Sequence, residues 1–152
     1  MKTAQIGASG VLLIQYRLLK LGIDSAQMTT DDGIDLVVYA PGHEQALTVQ
    51  VKTCLQPKPA GGKGARAVDW WLRADSPAQL VGVVDLESDK AWIFRHAEFE
   101  KAAQQRPEGR LHLYFYVDDG YPAKPDCHRR DFEVFLLENR VQELFEAPQN
   151  SN

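Results

Sequence analysis

The chain has 152 residues, 44% of them apolar and 25% charged, enough for one domain with a sizeable core. No apolar run reaches the roughly 18 residues that a membrane span needs. The opening Met1–Gly7 lacks a signal-length apolar segment, so the expectation is a cytoplasmic protein without membrane contact. The net charge of -4 and pI near 5.5 exclude a globally basic nucleic-acid binder.

Charge is unevenly spread. Lys52, Lys58, Lys63, Arg66 and Arg73 face a single acid, Asp69, between positions 52 and 73. Such a strip suits contact with a phosphate backbone, and a solvated loop is the structural alternative. Cys54 and Cys127 are too few for a disulfide framework and read as reduced thiols. Neither cysteine has a zinc-ligand spacing or a nucleophile setting.

Ser9 is placed to cap a helix that runs to Leu21 and stops at Gly22. Val11, Ile14, Leu18 and Leu21 recur at helical spacing, and Leu12, Leu13 and Leu19 widen the stripe, which predicts a mostly buried helix. A strand over Asp24–Met28 follows, then an Asp31-Asp32-Gly33 turn. Ile34–Ala40 reads as a buried strand interrupted only by Asp35. Pro41-Gly42 turns the chain into Leu47–Thr53, where Leu47, Val49 and Val51 alternate with Thr48, Gln50 and Lys52. The two strands predict a hairpin.

Positions 54–67 carry Pro57, Pro59, Gly61, Gly62 and Gly64 and predict a mobile loop. Strands are expected over Val68–Arg73, Leu80–Asp85, Ala91–Arg95 (paired with the preceding one) and Arg110–Val117, with Leu111, Leu113, Phe115 and Val117 on one face. A short helix is expected over His96–Gln105. After a turn-rich connection, a closing helix over Arg130–Phe145 should turn Val134, Leu137, Val141 and Leu144 inward. One of Trp70 and Trp71 is expected in the core and the other at a dimer contact, with stacking on bases the alternative. The expectation is one domain over 1–146 with a disordered tail over 147–152.

The chemistry-bearing residues are Asp35, Gln50 and Lys52. A carboxylate inside an apolar strand needs a partner, because burying it alone is costly. In a hairpin Asp35 can meet Gln50 and Lys52 at one point. A carboxylate and an amide oxygen can hold magnesium, and a neighbouring ammonium can stabilise developing charge. The structural alternative is an Asp35–Lys52 ion pair with Gln50 an ordinary strand residue.

The stretch Gly10–Thr53, with Leu18-Leu19-Lys20-Leu21-Gly22, Gly33-Ile34-Asp35-Leu36-Val37-Val38 and Val49-Gln50-Val51-Lys52-Thr53, resembles the core of the PD-(D/E)XK nuclease superfamily. It is most similar to the branch with a Gln-x-Lys motif, which includes some homing endonucleases and Holliday-junction-resolvase-like proteins. Val84-Asp85-Leu86 and Ala91-Trp92-Ile93-Phe94-Arg95 resemble that branch's later strands. The resemblance implies an α/β, restriction-endonuclease-like core: a mixed central β-sheet flanked by helices, in the order αβββαβ. It implies Asp35, Gln50 and the Val51 carbonyl as ligands of Mg2+, or Mn2+ as a substitute, and Lys52 as the catalytic lysine.

DNA is the implied partner, met by Lys58, Lys63, Arg66 and Arg73. Two-strand cutting leads us to expect a homodimer. Where the branch often carries Glu after the glycine near its first helix, this chain has Val11. Gln15, one turn on, reads as helix surface or as a side chain reaching the site. The reading is therefore a metal-dependent DNA endonuclease. The alternative is a catalytically weak or inactive nuclease-fold module that binds nucleic acid or a protein partner.

Overall fold

The computed structural model describes residues 1–30, 32–41 and 43–146. Asp31 of the expected turn, Gly42 of the Pro-Gly connection and the tail 147–152 lie outside the described residues.

Helix α1 spans Thr3–Lys20, so it begins six residues before Ser9. The Gln5 carboxamide oxygen accepts the Lys2 N–H at 2.8 Å and closes the first turn, while the Ser9 hydroxyl donates to the Gln5 carbonyl at 2.7 Å inside the helix. Leu21 ends it, with Gly22 following at φ +80°. Its buried face is narrow: Gly10, Ile14 and Leu18. Leu12 and Leu19, expected to widen that face, are exposed, as is Tyr16. The helix packs on only one side, so the residues opposite the Ile14–Leu18 seam stay in solvent.

Strands β1 (Asp24–Gln27), β2 (Leu36–Tyr39), β3 (Leu47–Cys54), β6 (Leu80–Asp85) and β7 (Lys90–Arg95) form a five-stranded sheet in the order β1-β2-β3-β6-β7. β2 and β3 pair antiparallel with Leu36 opposite Val49, which is the expected hairpin. β3 and β6 run parallel and β6–β7 antiparallel, so the sheet is mixed. A second sheet, in the order β4-β5-β8, holds β4 (Lys58–Pro59), β5 (Arg66–Arg73) and β8 (Arg110–Tyr116). The crossover from β3 to β6 thus runs through β4 and β5. The expected mobile loop is a small hairpin, with Lys58 opposite Ala67 and the Ala60 N–H bonded to the Ala65 carbonyl at 2.9 Å. Gly61 and Gly62, read as marks of flexibility, instead supply the positive φ that closes its turn.

Helix α2 (His96–Ala102) is three residues shorter than expected; Gln105 bridges to His112 instead. The expected closing helix is two pieces. Residues Arg129–Phe135 form a 3-10 segment, Leu136 breaks it with extended backbone, and α3 covers Leu137–Phe145. The tighter 3-10 spacing turns Phe132 inward and leaves Val134 exposed, against the helical expectation. Leu137, Val141 and Leu144 are buried as expected.

Two cores flank the large sheet. One joins α1 and α3 to Leu36, Val38, Val49 and Val51. The other joins the opposite sheet face, through Val81 and Val83, to the small sheet and α2 through Trp70, Leu113, Phe115 and Phe99. Each fully buried aliphatic here contributes about 1.5–3 kcal/mol. No helix among the described residues is long and apolar enough to cross a membrane.

Candidate active site

Asp35 stands one residue before β2. Its N–H donates to the Val49 carbonyl at 2.9 Å, and its carbonyl accepts the Met28 N–H at 3.0 Å. Its carboxylate Oδ2 accepts the Val51 N–H at 2.7 Å. Main-chain pairing of β2 with β3 runs from Val38–Leu47 to Leu36–Val49; beyond it, the carboxylate supplies the acceptor that Val51 needs. This hydrogen bond fixes the carboxylate against the backbone between Gln50 and Lys52.

The Val51 side chain is buried in the α1-side core, so strand alternation turns Gln50 and Lys52 to the opposite face. The Ser76 hydroxyl donates to Gln50 Oε1 at 2.5 Å. Lys52 is half-buried and makes no ion pair among the described residues. Gln50 borders a cleft of about 470 Å³ with Asp32, Arg73, Asp75 and Ser76. Arg73 donates twice to Asp75, at 3.0 and 2.9 Å, in an exposed ion pair.

Of the expected phosphate contacts, Arg73 therefore lies beside Gln50. Lys58, Lys63 and Arg66 sit on the β4–β5 hairpin, where Arg66 comes within 3.9 Å of Glu87. Val11 packs against the α1-side core and offers no carboxylate. Gln15 ties α1 to β1: it donates to the Ser25 carbonyl at 3.3 Å and accepts from Gln27 at 2.7 Å. Asp32 accepts from the Thr30 hydroxyl at 3.4 Å. Both cysteines are free thiols. Burial pushes the Cys54 thiol above its ordinary pKa, so it stays protonated and is a poor nucleophile.

Sequence reasoning missed Ser76 and Asp75. Their signal was the Ala74-Asp75-Ser76-Pro77 turn, which returns the chain to the Gln50 edge of the sheet. It also missed Asp69, Gln105 and His112, which meet on the outer face of the small sheet: His112 Nε2 lies 2.8 Å from Asp69 Oδ2 and Nδ1 lies 3.1 Å from Gln105 Oε1. The signal there was the polar half of the β8 alternation.

The donors at the Asp35–Gln50 edge are oxygens, one carboxylate and one amide. That chemistry fits a hard ion such as magnesium, which is held by few protein ligands and completes its shell with water and phosphate. Among the described residues no three His, Cys, Asp or Glu side chains form a metal-holding group.

No protein-family model matches the chain, and no curated protein matches it in sequence. In fold it is similar to the solved structure of a bacterial homing endonuclease, I-Ssp6803I, with a TM-score of 0.63 and 22% identity over 94% of this chain and 92% of that one. The chain has an α/β nuclease-like fold, with a mixed central sheet and flanking helices.

Proposed function

We propose that this chain is a metal-dependent DNA endonuclease of the PD-(D/E)XK superfamily, in its Gln-x-Lys branch, hydrolysing phosphodiester bonds at Asp35, Gln50 and Lys52. One observation carries the reading: the Asp35 carboxylate is held by the Val51 N–H, at the backbone between Gln50 and Lys52. The fold shared with a homing endonuclease supports DNA as the substrate.

Asp35, Gln50 Oε1 and the Val51 carbonyl would hold Mg2+, or Mn2+ in its place. When bound, the ion polarises a phosphoryl oxygen and acidifies a bound water. Asp35 is oriented by Val51, and Gln50 by the Ser76 hydroxyl. The Lys52 ammonium lies on the same face as Gln50 and stabilises negative charge that develops on the phosphate. Arg73, at the Gln50 cleft, and Lys58, Lys63 and Arg66, on the hairpin, contact the DNA backbone. A homodimer would supply a second site for the second strand.

A second reading, binding without cutting, is favoured by Val11, which gives the site a core contact where the branch often has a glutamate. Calorimetric titration of manganese separates the two. Gln50→Glu adds a negative charge at ligand distance with little change of shape, so it should tighten manganese binding to the free protein. Asp35→Asn should abolish it. If neither substitution changes manganese binding, there is no metal site here and the binding reading stands.

A further inference from the structure

The small sheet turns one face to the core and the other to solvent. On the outer face β5 and β8 are in register, with Arg73 opposite Arg110, Trp71 opposite His112, Asp69 opposite Tyr114 and Ala67 opposite Tyr116. A row of rings follows: Trp71 to His112 at 3.9 Å between centroids, His112 to Tyr114 at 5.6 Å, Tyr114 to Tyr116 at 5.7 Å and Tyr116 to Tyr121 at 4.7 Å. From Arg110 to Tyr116 the row covers about 20 Å.

The two ends of the row differ. The Trp71 ring is already occupied, stacked on His112 at an interplanar angle of 4° with the Arg110 guanidinium 4.6 Å above it. Tyr114 and Tyr116 stand at 79° to each other, so their faces are not spent on mutual stacking. Beside them opens a cleft of about 470 Å³, lined also by Lys58, Asp69, Gln105 and His112. That volume is within the range of small-ligand sites.

We propose that this outer face binds unpaired nucleic acid, with one nucleobase lodged in the Tyr114–Tyr116 cleft. Each part of a nucleotide meets a matching group. The tyrosine rings offer faces for the base. The Asp69 carboxylate accepts hydrogen bonds from a base edge and the Gln105 carboxamide can donate; both already hold His112. Lys58, which makes no ion pair among the described residues, is the cation for the adjoining phosphate. Arg73, opposite Arg110 at the far end of the row, also borders the Gln50 cleft, so the row begins where the proposed nuclease site lies. The surface stands independently of any chemistry at Asp35, Gln50 and Lys52 and needs no metal; it shares only Lys58 with the proposed duplex contacts, and the tyrosine pair belongs to it alone.

The test is fluorescence anisotropy in EDTA with labelled oligothymidylate and oligouridylate of about twelve nucleotides, within the usual range for such sites, and a duplex of equal length. The parent protein should bind single strands more tightly than duplex. Tyr114→Ala with Tyr116→Ala should weaken single-strand binding at least about tenfold, while Tyr114→Phe with Tyr116→Phe should retain it. Lys58→Glu, on an exposed residue and so harmless to the fold, should weaken binding and flatten its salt dependence. Binding of thymidylate alone assigns DNA, uridylate alone assigns RNA, and either supports the surface. No single-strand binding by the parent, or single-strand binding unaffected by the alanine pair, overturns it. Loss of metal-dependent cleavage would leave this result untouched.

Discussion

Gly10 sits in the middle of α1, where alanine would ordinarily stabilise a helix by about 1 kcal/mol. Here it should do the reverse. A Cβ on Gly10 would lie 1.9 Å from Thr53 Oγ1, 2.9 Å from Thr53 Cβ and 3.0 Å from Thr53 Cγ2. Non-bonded carbons rest at about 3.5–4.0 Å, so α1 must lift from β3 or Thr53 must move. Lifting α1 also loosens Ile14 and Leu18, both fully buried in the same seam. Overpacking of this kind costs about 1–3 kcal/mol, and so deep an overlap belongs near the upper figure. Less the helical gain, Gly10→Ala should destabilise by about 1–2 kcal/mol. Urea unfolding should show the midpoint falling by about half to one molar with unchanged slope.

Thr53 Oγ1 is buried without a hydrogen-bond partner among the described residues, so Thr53→Ala should itself cost little. Combined with Gly10→Ala it should recover part of the loss, because the 1.9 Å contact with Oγ1 is removed while the position-53 Cβ stays 2.9 Å from the new methyl. A Gly10→Ala protein as stable as the parent would refute the close approach of α1 to β3, one residue from Lys52.

Replacing Lys58, Lys63 and Arg66 together with alanine should weaken duplex DNA binding across sequences and reduce the salt slope by about 1–3, read by anisotropy at several salt concentrations; unchanged affinity would reduce the hairpin to solvated surface. Glu98 should govern acid stability. Burial alone would raise its pKa, but two hydrogen bonds from the buried Arg140, at 2.8 and 3.1 Å, with the Arg95 N–H and both positive charges, carry it below its ordinary value. A carboxyl depressed in the folded state contributes stability above its unfolded pKa of about 4.3, and loses it as pH falls through the folded value. Glu98→Gln should therefore cost about 2–3 kcal/mol at pH 7, since Arg140 loses its best partner, and flatten the stability profile below about pH 4.3 in thermal melts. An unchanged acid profile would contradict this.

The β2–β3 hairpin was legible because an apolar run, Ile34–Ala40, is joined by a Pro-Gly turn to the cleanly alternating Leu47–Thr53, whose buried face fixes register. Asp35 stood out as the one charge in the apolar run Ile34–Ala40, and Gln50 and Lys52 as polar residues opposite the buried side of Leu47–Thr53. What the sequence hid was contact between distant segments. Ser76 reaches Gln50 across 26 positions, and no local pattern announces that. Apolar spacing also misled on α1: Leu12 and Leu19 fit a helical stripe, yet only one side of that helix meets the sheet. In the closing segment the 3.6-residue period did not apply, because Arg129–Phe135 winds as a 3-10 turn and Leu136 breaks the chain before α3. Glycines at 61 and 62 read as mobility because composition cannot distinguish an open loop from a closed tight turn.

The central proposal is tested most directly by incubating supercoiled plasmid with the protein in magnesium or manganese, and again in EDTA, beside Lys52→Ala and Asp35→Asn. Nicked or linear product with either metal, none in EDTA, and a loss of about a hundredfold or more in each variant is the predicted result. Plasmid that stays supercoiled with both metals while the parent still binds it would contradict cleavage. Cleavage undiminished in both variants would move the chemistry away from Asp35 and Lys52.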